Sequence, residues 1–347
     1  MRHIGASIPM PFEKVYSIEE NSLLGSGAFG SVVLATHNVT KNRVAIKKIA
    51  RTDEGMKDFR YEVSNLRALH DHPNIVSLID HFDDGEYLSL VMEVAEHGNL
   101  YSFVKSHGPL SEVAVKHIAR QLLSGVQACH AKHIVHRDIK LENILVTAID
   151  GDMLSVQIAD FGLSTNARHP LQRVCGTPIF MAPEMASGKF YGTIADMWNP
   201  GAVIYCLLTK DIPVAGSLHE MDFNGMTEAA QHFILAMLKE NPNDRATTST
   251  LLNHTWLMDQ SELTEYVQKL QLFLQDKENQ EYMVLMCGGD NIDCATISLS
   301  SIASSLSDDD IGANQLVELT SQLYLTVHYL EEDFPELRDQ VARTVWI

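Results

Sequence analysis

Three polar side chains with complementary chemistry lie on one short stretch of the chain: Asp138, Lys140 and Asn143. Asp138 could accept a proton from a hydroxyl group, and Lys140 could stabilise negative charge on a phosphoryl group. Asn143 could bind a magnesium ion through its amide oxygen. Transfer of a phosphoryl group to a hydroxyl needs these three functions side by side, so the stretch from His136 to Asn143 is the candidate catalytic loop.

A second candidate magnesium ligand is Asp160, in the run Asp160-Phe161-Gly162. It follows a predicted hairpin whose turn is Asp150-Gly151-Asp152. An aspartate before a glycine is also common in plain turns, and for an isolated tripeptide that alternative is favoured. The assignment of Asp160 as a metal ligand therefore depends on the presence of the catalytic loop in the same chain.

A glycine-rich run near the start of the chain could cover phosphate groups: Gly25-Ser26-Gly27-Ala28-Phe29-Gly30-Ser31-Val32. Its glycines allow tight turns and let backbone amides approach phosphate oxygens. A plain glycine-rich hairpin and a dinucleotide-binding fold are the alternatives. The latter needs a helix directly after the glycines, whereas here the chain continues as a strand. The spacing therefore favours a hairpin lid over a nucleotide.

Lys47 and Glu62 form a candidate charged pair behind this hairpin. Lys47 ends an apolar strand, from which its ammonium could neutralise the α and β phosphates. Glu62 lies on the following predicted helix and could hold that ammonium in place. Lysines in strands usually extend to solvent instead. The pair indicates a phosphate-binding site only together with the glycine-rich hairpin.

The surrounding pattern predicts a sheet-rich part followed by a helix-rich part. A predicted amphipathic helix spans Asp58 to Leu69, and helical periodicity dominates from Leu100 onward, notably over Ser111 to Ala131. Short β-type runs separated by turns predict a small antiparallel sheet. These runs are Tyr16 to Leu24, Ser31 to His37, Arg43 to Ile49, Ile75 to Phe82 and Tyr87 to Glu93.

The composition is that of an ordinary globular protein, with 45% hydrophobic and 20% charged residues among 347. A formal net charge of -19 argues against nucleic acid and anionic membranes as main partners, and is compatible with basic protein substrates. The 5 cysteines include no Cys-x-x-Cys pair, which favours a reducing compartment. No signal peptide or membrane span is indicated, so we expect a cytoplasmic or nuclear protein.

The residues from about Asp259 onward form an acidic tail, with 17 acidic residues against 4 basic ones. Apolar residues at helical spacing predict helices at 263–274, 315–330 and 337–346. The serine-rich and acidic stretch 298–310 predicts a flexible segment. The tail could be a helical cap on the large lobe, which we favour, or an autoinhibitory or partner-binding element that acts through residues 315–346.

The ordered set of these motifs resembles the eukaryotic protein kinase family. Lys140, two places after Asp138, and Gly176-Thr177-Pro178 resemble the serine/threonine type, in which Thr177 would contact the catalytic loop. Cys175 before that run and Gly162-Leu163-Ser164 are similar to the calcium/calmodulin-dependent and AMP-activated kinase group. The motifs that carry the family resemblance are Gly25-x-Gly27-x-x-Gly30, Lys47, Glu62, His136-Arg137-Asp138, Asn143, Asp160-Phe161-Gly162 and Ala182-Pro183-Glu184.

The resemblance implies an α+β, two-lobed kinase fold with ATP and Mg²⁺ in the cleft between the lobes. Within a kinase domain at 16–258, the small lobe would span 16–93, the hinge 94–98 and the helical lobe 99–258. An N-terminal arm at 1–15 would precede this domain, and the acidic, partly helical tail at 259–347 would follow it.

The resemblance also implies roles for individual residues. Asp196 would brace the catalytic loop, and Glu184 would form a structural ion pair with Arg245. Met92 would be the gatekeeper beside the adenine, and Asn99 would contact the ribose. Adenine would meet the hinge backbone at Glu93 and Ala95 and lie between the side chains of Val32, Ala45 and Leu145.

Three departures from the family pattern bear on regulation. Arg173 stands where many relatives carry a phosphorylatable threonine, and it is expected to repel Arg137. Pro200 replaces an ordinary helix former, at a cost of about 3 kcal/mol unless it lies near the start of its helix. The segment 208–228 is shorter than in family members. We therefore predict activation without phosphorylation at position 173, leaving Ser164, Thr165 and Thr177 as the hydroxyls of the loop.

Two functions are consistent with the sequence. The first is a serine/threonine protein kinase that transfers the γ-phosphate of Mg-ATP to protein hydroxyls. Glu142 and Glu96 would then favour substrates that are basic around the target residue. The alternative is a pseudokinase that binds nucleotide and acts through its tail, which Arg173, Pro200 and the shortened segment would favour.

Overall fold

The structure is a computed structural model that describes residues 11–27, 30–213, 218–275, 289–306, 315–319 and 321–323. Its small lobe contains one antiparallel sheet. The strands are β1 (Tyr16–Gly27), β2 (Gly30–His37), β3 (Arg43–Ala50), β4 (Leu78–Asp83) and β5 (Tyr87–Glu93). Their order in the sheet is β1-β2-β3-β5-β4, so β3 lies at the centre. The sheet predicted from the sequence is confirmed, although its fourth strand begins at Leu78 and not at Ile75.

The central strand β3 has a different partner on each of its faces, because successive side chains of a strand point in opposite directions. Val44 and Ile46 pack in an apolar cluster with Phe12 of a short helix, α1 (Phe12–Val15). Ile49 packs on the other face with Phe59 of helix α2 (Asp53–Ala68). Lys47 shares that second face, so its side chain is directed toward α2.

Helix α2 begins at Asp53, earlier than the predicted start at Asp58. Thr52 caps it, since its hydroxyl accepts the backbone N–H of Gly55 at 3.0 Å. Phe59, Glu62 and Val63 recur at helical spacing on the buried face. Glu62 is therefore a carboxylate on an otherwise largely apolar surface.

The large lobe is mainly helical. Two short β-pairs flank the catalytic loop, β6 (Ile134–Val135) with β9 (Thr165–Asn166) and β7 (Ile144–Asp150) with β8 (Met153–Ile158). The helices are α3 (Leu100–His107), α4 (Glu112–Ala131), α5 (Pro183–Ala186), α6 (Trp198–Thr209), α7 (Glu228–Met237) and α8 (Thr248–Leu252). The two-lobed fold is thereby confirmed. No helix in the described part of the chain is long and apolar enough to span a membrane.

Helix α4 is the centre of the large lobe, and Ser111 caps it as predicted. Its first residue, Glu112, accepts hydrogen bonds from the hydroxyl of Thr227 at 2.6 Å and from the indole N–H of Trp256 at 2.7 Å. Thr227 also caps α7. One carboxylate therefore joins three separate parts of the lobe.

Pro200 causes no break in α6. It is the third residue of that helix, which follows the 3₁₀ turn Thr193–Met197. The N–H groups of a first helical turn have no partner within the helix, so a proline there removes no helical hydrogen bond. The position within the helix therefore avoids the cost that a proline in the helix interior would carry.

Within the described part of the tail, helix α9 (Gln260–Gln275) packs against helix α10 (Gly289–Leu306). The prediction of a flexible segment is wrong over 298–306, because apolar residues recur there at helical spacing and are buried. These are Leu299, Ile302 and Leu306. Residues 315–319 and 321–323 are also helical, whereas 307–310, 324–330 and the predicted helix at 337–346 lie outside the described residues.

Arg120 of α4 joins the tail to the large lobe. Its guanidinium donates to the carbonyl of Leu257 and to the carboxylate of Glu262, the latter at 3.0 Å. Gln260 in turn donates to the carbonyl of Leu306 at 3.1 Å. Both tail helices are thus connected to the last turn of the large lobe, Thr255–Leu257.

The ion pair predicted between Glu184 and Arg245 is confirmed and is fully desolvated. The guanidinium donates to both carboxylate oxygens, at 2.7 and 2.9 Å, and the Arg245 side chain is 0% exposed. The same guanidinium donates to the carbonyls of Ile194 and Lys239. All charged atoms of the pair are therefore satisfied.

We expect Arg245→Met to lower the free energy of unfolding by about 3–5 kcal/mol, because Glu184 would remain as a buried charge without its partner. Lys269→Met is the control. It removes the exposed pair with Glu265 in α9 and should change stability by less than about 0.5 kcal/mol. Urea denaturation of both variants measures this difference, and equal effects would contradict the role assigned to the buried pair.

Candidate active site

The catalytic loop lies between β6 and β7, and the side chain of Asp196 holds its backbone in place. This carboxylate is 0% exposed and accepts the backbone N–H groups of His136 at 2.6 Å and Arg137 at 2.8 Å. Arg137 adopts a left-handed backbone conformation with φ of 73°. The bracing predicted for Asp196 fixes this strained turn, and the Asp138 side chain that follows it contacts Thr177.

Asp138 and Lys140 converge on the hydroxyl of Thr177. Thr177 donates to the Oδ1 atom of Asp138 through its backbone N–H at 2.8 Å and through its hydroxyl at 2.7 Å. The ammonium of Lys140 donates to the same hydroxyl at 2.7 Å and lies 3.1 Å from the Oδ2 atom of Asp138. The site therefore orients an alcohol between a carboxylate and a cation.

Asn143 is oriented by hydrogen bonds from its amide nitrogen. This nitrogen donates to the carbonyl of Asp138 at 2.8 Å and to the Oδ2 atom of the same residue at 3.2 Å. The amide oxygen is the atom that would bind a metal ion. Asn143 is joined to the Asp160 segment, since its carbonyl accepts the N–H of Ala159 at 2.8 Å.

Lys47, Glu62 and Asp160 form one cluster of charges. The ammonium of Lys47 lies 2.8 Å from both oxygens of Glu62 and 2.7 Å from Oδ1 of Asp160. Burial alone would lower the pKa of Lys47, but the two carboxylates outweigh this effect and raise it above its ordinary value. The ammonium therefore stays charged.

The two carboxylates of this cluster differ in their environment. Glu62 is completely buried, and this burial raises its pKa despite the neighbouring ammonium. Burial also acts to raise the pKa of Asp160, but Lys47 outweighs it and lowers that pKa below its ordinary value. Asp160 is thus the carboxylate that is ionised most readily, and its side chain is still 34% exposed.

These donors fit the magnesium ion that the resemblance implies. Carboxylate and amide oxygens are hard ligands of the kind that Mg²⁺ prefers, and Mg²⁺ usually keeps water and phosphate ligands beside one or two protein groups. Asp160 and the amide oxygen of Asn143 would hold it. Lys47 balances only one of the two negative charges beside it, so the cluster favours a further cation.

The glycine-rich run forms the hairpin between β1 and β2, as its spacing predicted. Gly27 pairs with Gly30, Ser26 with Ser31, and Gly25 with Val32. Gly30 has a φ of 126°, and a side chain there would lie 2.0 Å from the carbonyl oxygen of Lys48. Glycine is therefore required at this position for packing on β3. Ala28 and Phe29 lie outside the described residues.

The residues assigned to the adenine pocket come from both sides of the cleft. In the small lobe, Val32 pairs with Lys47 and Ala45 pairs with Met92 across the sheet. From the large lobe, Leu145 on β7 forms an isolated bridge with Asn99. The chain passes between the lobes just after Glu93 and Ala95. The structure thus places all of them along the lobe boundary, and their contacts with a nucleotide remain predictions.

Asn99 has a structural role that the sequence did not predict. Its amide oxygen accepts the N–H of Ser102 at 2.9 Å and so caps α3. Its amide nitrogen and the second lone pair of its amide oxygen are left for the predicted contact with a ribose.

The sequence predicts repulsion between Arg137 and Arg173, and the structure gives each of these cations its own partners. The guanidinium of Arg137 donates to the carbonyl of Leu163 at 2.7 Å and to the hydroxyl of Tyr191 at 3.3 Å. The guanidinium of Arg173 lies 3.6 Å from the carboxylate of Glu54 on α2. The two cations are therefore directed to different acceptors.

Tyr191 was not predicted from the sequence. Its hydroxyl donates to the carbonyl of Arg173 at 2.6 Å while it accepts from Arg137. A second contact that was missed joins Asn65 of α2 to Ser164, at 2.9 Å. Asn65 could have been noticed, because it is a polar residue on the buried face of its helix. For Tyr191 no local signal exists.

Comparison with known proteins agrees with these motifs. A family model described as a protein kinase domain matches residues 18–257. A probable myosin light chain kinase of Dictyostelium discoideum is 36% identical over 256 residues, which are 68% of this chain and 65% of that protein. Myosin light chain kinase A of the same organism is 35% identical over 265 residues, which are 71% of this chain and 88% of that protein.

A human relative has a similar level of identity. NUAK family SNF1-like kinase 1 of Homo sapiens is 34% identical over 259 residues, which are 70% of this chain and 38% of that protein. The chain thus spans less than two thirds of this relative and of the probable myosin light chain kinase. The match to the family model ends at residue 257, just before α9 begins at Gln260.

Gly176 allows Thr177 to approach Asp138. We therefore expect Gly176→Ala to slow the phosphoryl transfer predicted for this site. Gly176 has a φ of 103°, and a side chain would lie 2.4 Å from the carbonyl oxygen of Arg137. Gly225→Ala is a matched control, because φ is 81° there and the space around it is open. Both variants should lose about 1–3 kcal/mol of stability through backbone strain.

Only Gly176→Ala should also lower the rate, since it displaces the Thr177 hydroxyl from Asp138. Denaturation curves and single-turnover rates of both variants measure the two effects. Equal losses of rate in both variants would contradict this role of Gly176.

Proposed function

Since the chain belongs to the protein kinase family, we propose that it is a serine/threonine kinase that transfers the γ-phosphate of ATP to hydroxyl groups of proteins. The arrangement around Thr177 carries this proposal. Its hydroxyl donates to Asp138 and accepts from Lys140, as a substrate alcohol would. No comparable observation favours a pseudokinase, and the position of Pro200 in a first helical turn removes one reason for that alternative.

The proposed step is an in-line displacement at the γ-phosphorus. The substrate hydroxyl forms a new O–P bond while the bond between this phosphorus and the β,γ-bridging oxygen breaks. Asp138 orients the hydroxyl and accepts its proton, and ADP leaves with the electron pair of the broken bond. Lys140 stabilises the charge that develops on the transferred phosphoryl group.

The remaining residues hold the nucleotide in position. Lys47, which Glu62 fixes, would bind the α and β phosphates, and the hairpin from Gly25 to Gly30 would cover them. A magnesium ion held by Asp160 and Asn143 would supply positive charge to the phosphates. The buried environment strengthens each of these interactions, because few water molecules screen the charges.

The proposed preference for basic substrates now depends on Glu142 alone. Glu142 is exposed within the catalytic loop, whereas Glu96 is engaged by the guanidinium of Arg43 at 2.9 Å. We keep this preference as part of the proposal, together with a role in signalling. A cytoplasmic or nuclear location is supported by free thiols at Cys129, Cys175 and Cys206.

We propose that the tail is a structural cap. Arg120 connects it to the large lobe, and Val317, Leu319 and Leu323 are buried within residues 315–323. This burial favours an intramolecular contact over an exposed binding surface. The part of the proposed contact region beyond Leu323 lies outside the described residues.

The variant Asp138→Asn tests the proposed reaction. We expect it to transfer phosphate from labelled Mg-ATP to a generic basic protein roughly 10²–10⁴-fold more slowly, because the amide cannot accept the proton. Its affinity for ATP should be unchanged. Asp150→Asn, in an exposed hairpin turn, is the control and should keep the full rate. Absence of transfer by the wild type, or an unchanged rate in Asp138→Asn, would refute the proposal.

Activity should not require phosphorylation of the loop between Asp160 and Glu184. In many relatives the arginine beside the catalytic aspartate meets an activating phosphate, whereas Arg137 already donates to two neutral acceptors. We expect phosphatase-treated protein to keep its rate. A required phosphate on Ser164, Thr165 or Thr177, found by mass spectrometry, would contradict this prediction.

The variant Tyr191→Phe tests whether the hydrogen bond between Tyr191 and Arg137 supports the reaction. It should lower the rate roughly tenfold, since a buried guanidinium loses an acceptor at a cost of about 1–3 kcal/mol. Tyr205→Phe is the control, because its hydroxyl accepts from the N–H of Asp222. The Tyr205 variant should keep the rate of the wild type. Equal losses of rate in the two variants would show that the contact between Tyr191 and Arg137 does not support the reaction.

A further inference from the structure

Asn65 is a buried amide on the face of α2 that also carries Glu62. It is 7% exposed, and its apolar neighbours on this face include Val63 and Leu66. An amide in such surroundings is unfavourable unless it is hydrogen-bonded. Its nitrogen donates to the hydroxyl of Ser164 at 2.9 Å. The amide therefore has a specific partner across the boundary between α2 and the Asp160 segment.

Ser164 closes the turn that begins at Asp160. It is 3% exposed, and its hydroxyl and its backbone N–H both donate to the carbonyl of Phe161, at 2.5 and 2.9 Å. The hydroxyl thus accepts from Asn65 while it donates within the turn. Movement of the turn away from α2 would break the bond to Asn65 and leave a buried amide without a partner.

This contact differs in kind from the charged link one helical turn away. Lys47 joins Glu62 to Asp160, but under the proposed function phosphates would also bind Lys47 and a metal ion would also bind Asp160. The bond between Asn65 and Ser164 uses no group that a ligand needs. It can therefore persist unchanged when the nucleotide binds and when it leaves.

The same turn is held from its other side by the catalytic loop. Arg137 donates from Nε to the carbonyl of Leu163 at 2.7 Å, and Thr165 pairs with Val135 of β6. Asn65 supplies the neutral attachment to α2 that these contacts lack. The segment from Asp160 to Thr165 is then fixed relative to both α2 and Asp138.

We propose that Asn65 is a positioning residue for phosphoryl transfer. Through Ser164 it keeps α2 in register with the Asp160 segment, so that Glu62, Lys47 and Asp160 remain aligned between turnovers. This inference rests on the proposed kinase function, and it adds a residue that makes no contact with nucleotide or substrate.

The test compares Asn65→Leu, Ser164→Ala and the double variant with wild-type protein. Asn65→Leu keeps the number of side-chain heavy atoms and their branching at Cγ and leaves Ser164 bonded to Phe161, so the fold should be preserved. Ser64→Ala, at an exposed position of the same helix, is the control. Steady-state kinetics with Mg-ATP and a generic basic protein give kcat and KM. Amide hydrogen exchange of residues 160–166, measured without nucleotide, shows how firmly this segment is held against α2.

We expect each single variant to lower kcat roughly tenfold and to speed exchange at 160–166 by a similar factor, with little change in Tm for Asn65→Leu. The double variant should be no worse than Ser164→Ala, because both changes remove one shared bond. The control should match the wild type.

Two results would overturn the proposal. One is a lower Tm in Asn65→Leu with kcat and exchange unchanged, which would make the contact purely structural. The other is an exchange effect that multiplies in the double variant, which would show that the two residues act independently. If the wild type transfers no phosphate, the kinase proposal fails, while the exchange data still decide whether Asn65 holds the segment.

Discussion

The ammonium group of Lys47 is shared by two carboxylates from different parts of the chain, and the arrangement of the small lobe depends on this sharing. Burying these charges carries a desolvation cost of several kcal/mol for each ion, which only close and complete pairing can offset. β3, α2 and the Asp160 segment must therefore meet at one point. Gly162 lies beside that point, where a side chain would come within 2.9 Å of the ammonium nitrogen.

Buried polar groups with partners from distant parts of the sequence fix the large lobe in the same way. Asp196 binds the catalytic loop, Glu112 binds Thr227 and Trp256, and Arg245 binds Glu184. Each of these groups would be costly to bury alone, so each contact restricts the packing to one arrangement. The result is a rigid base on which the strained turn at Arg137 can be held.

The loop after Asp160 is held largely by hydrogen bonds to neutral acceptors. Tyr191 and the carbonyl of Leu163 accept hydrogen bonds from Arg137, while Arg173 is directed toward Glu54. The pair between Arg173 and Glu54 is exposed, at 52% and 79%, and adds little stability. An order of this kind is already present in the unmodified chain.

The sequence by itself determined the features that depend on short spacings. Asp138 and Asn143 share one loop, Ser111 caps α4, and the alternation of β3 directs Lys47 to the face that packs on α2. Partners far apart in sequence were decided only by the tertiary structure, such as Arg137 with Tyr191 and Asn65 with Ser164. The same holds for α10, whose serine-rich sequence predicted flexibility although Leu299 and Ile302 are buried in a helix. The physical reason is that a spacing pattern encodes local geometry, whereas the partner of a buried polar or apolar group depends on which distant segment packs against it.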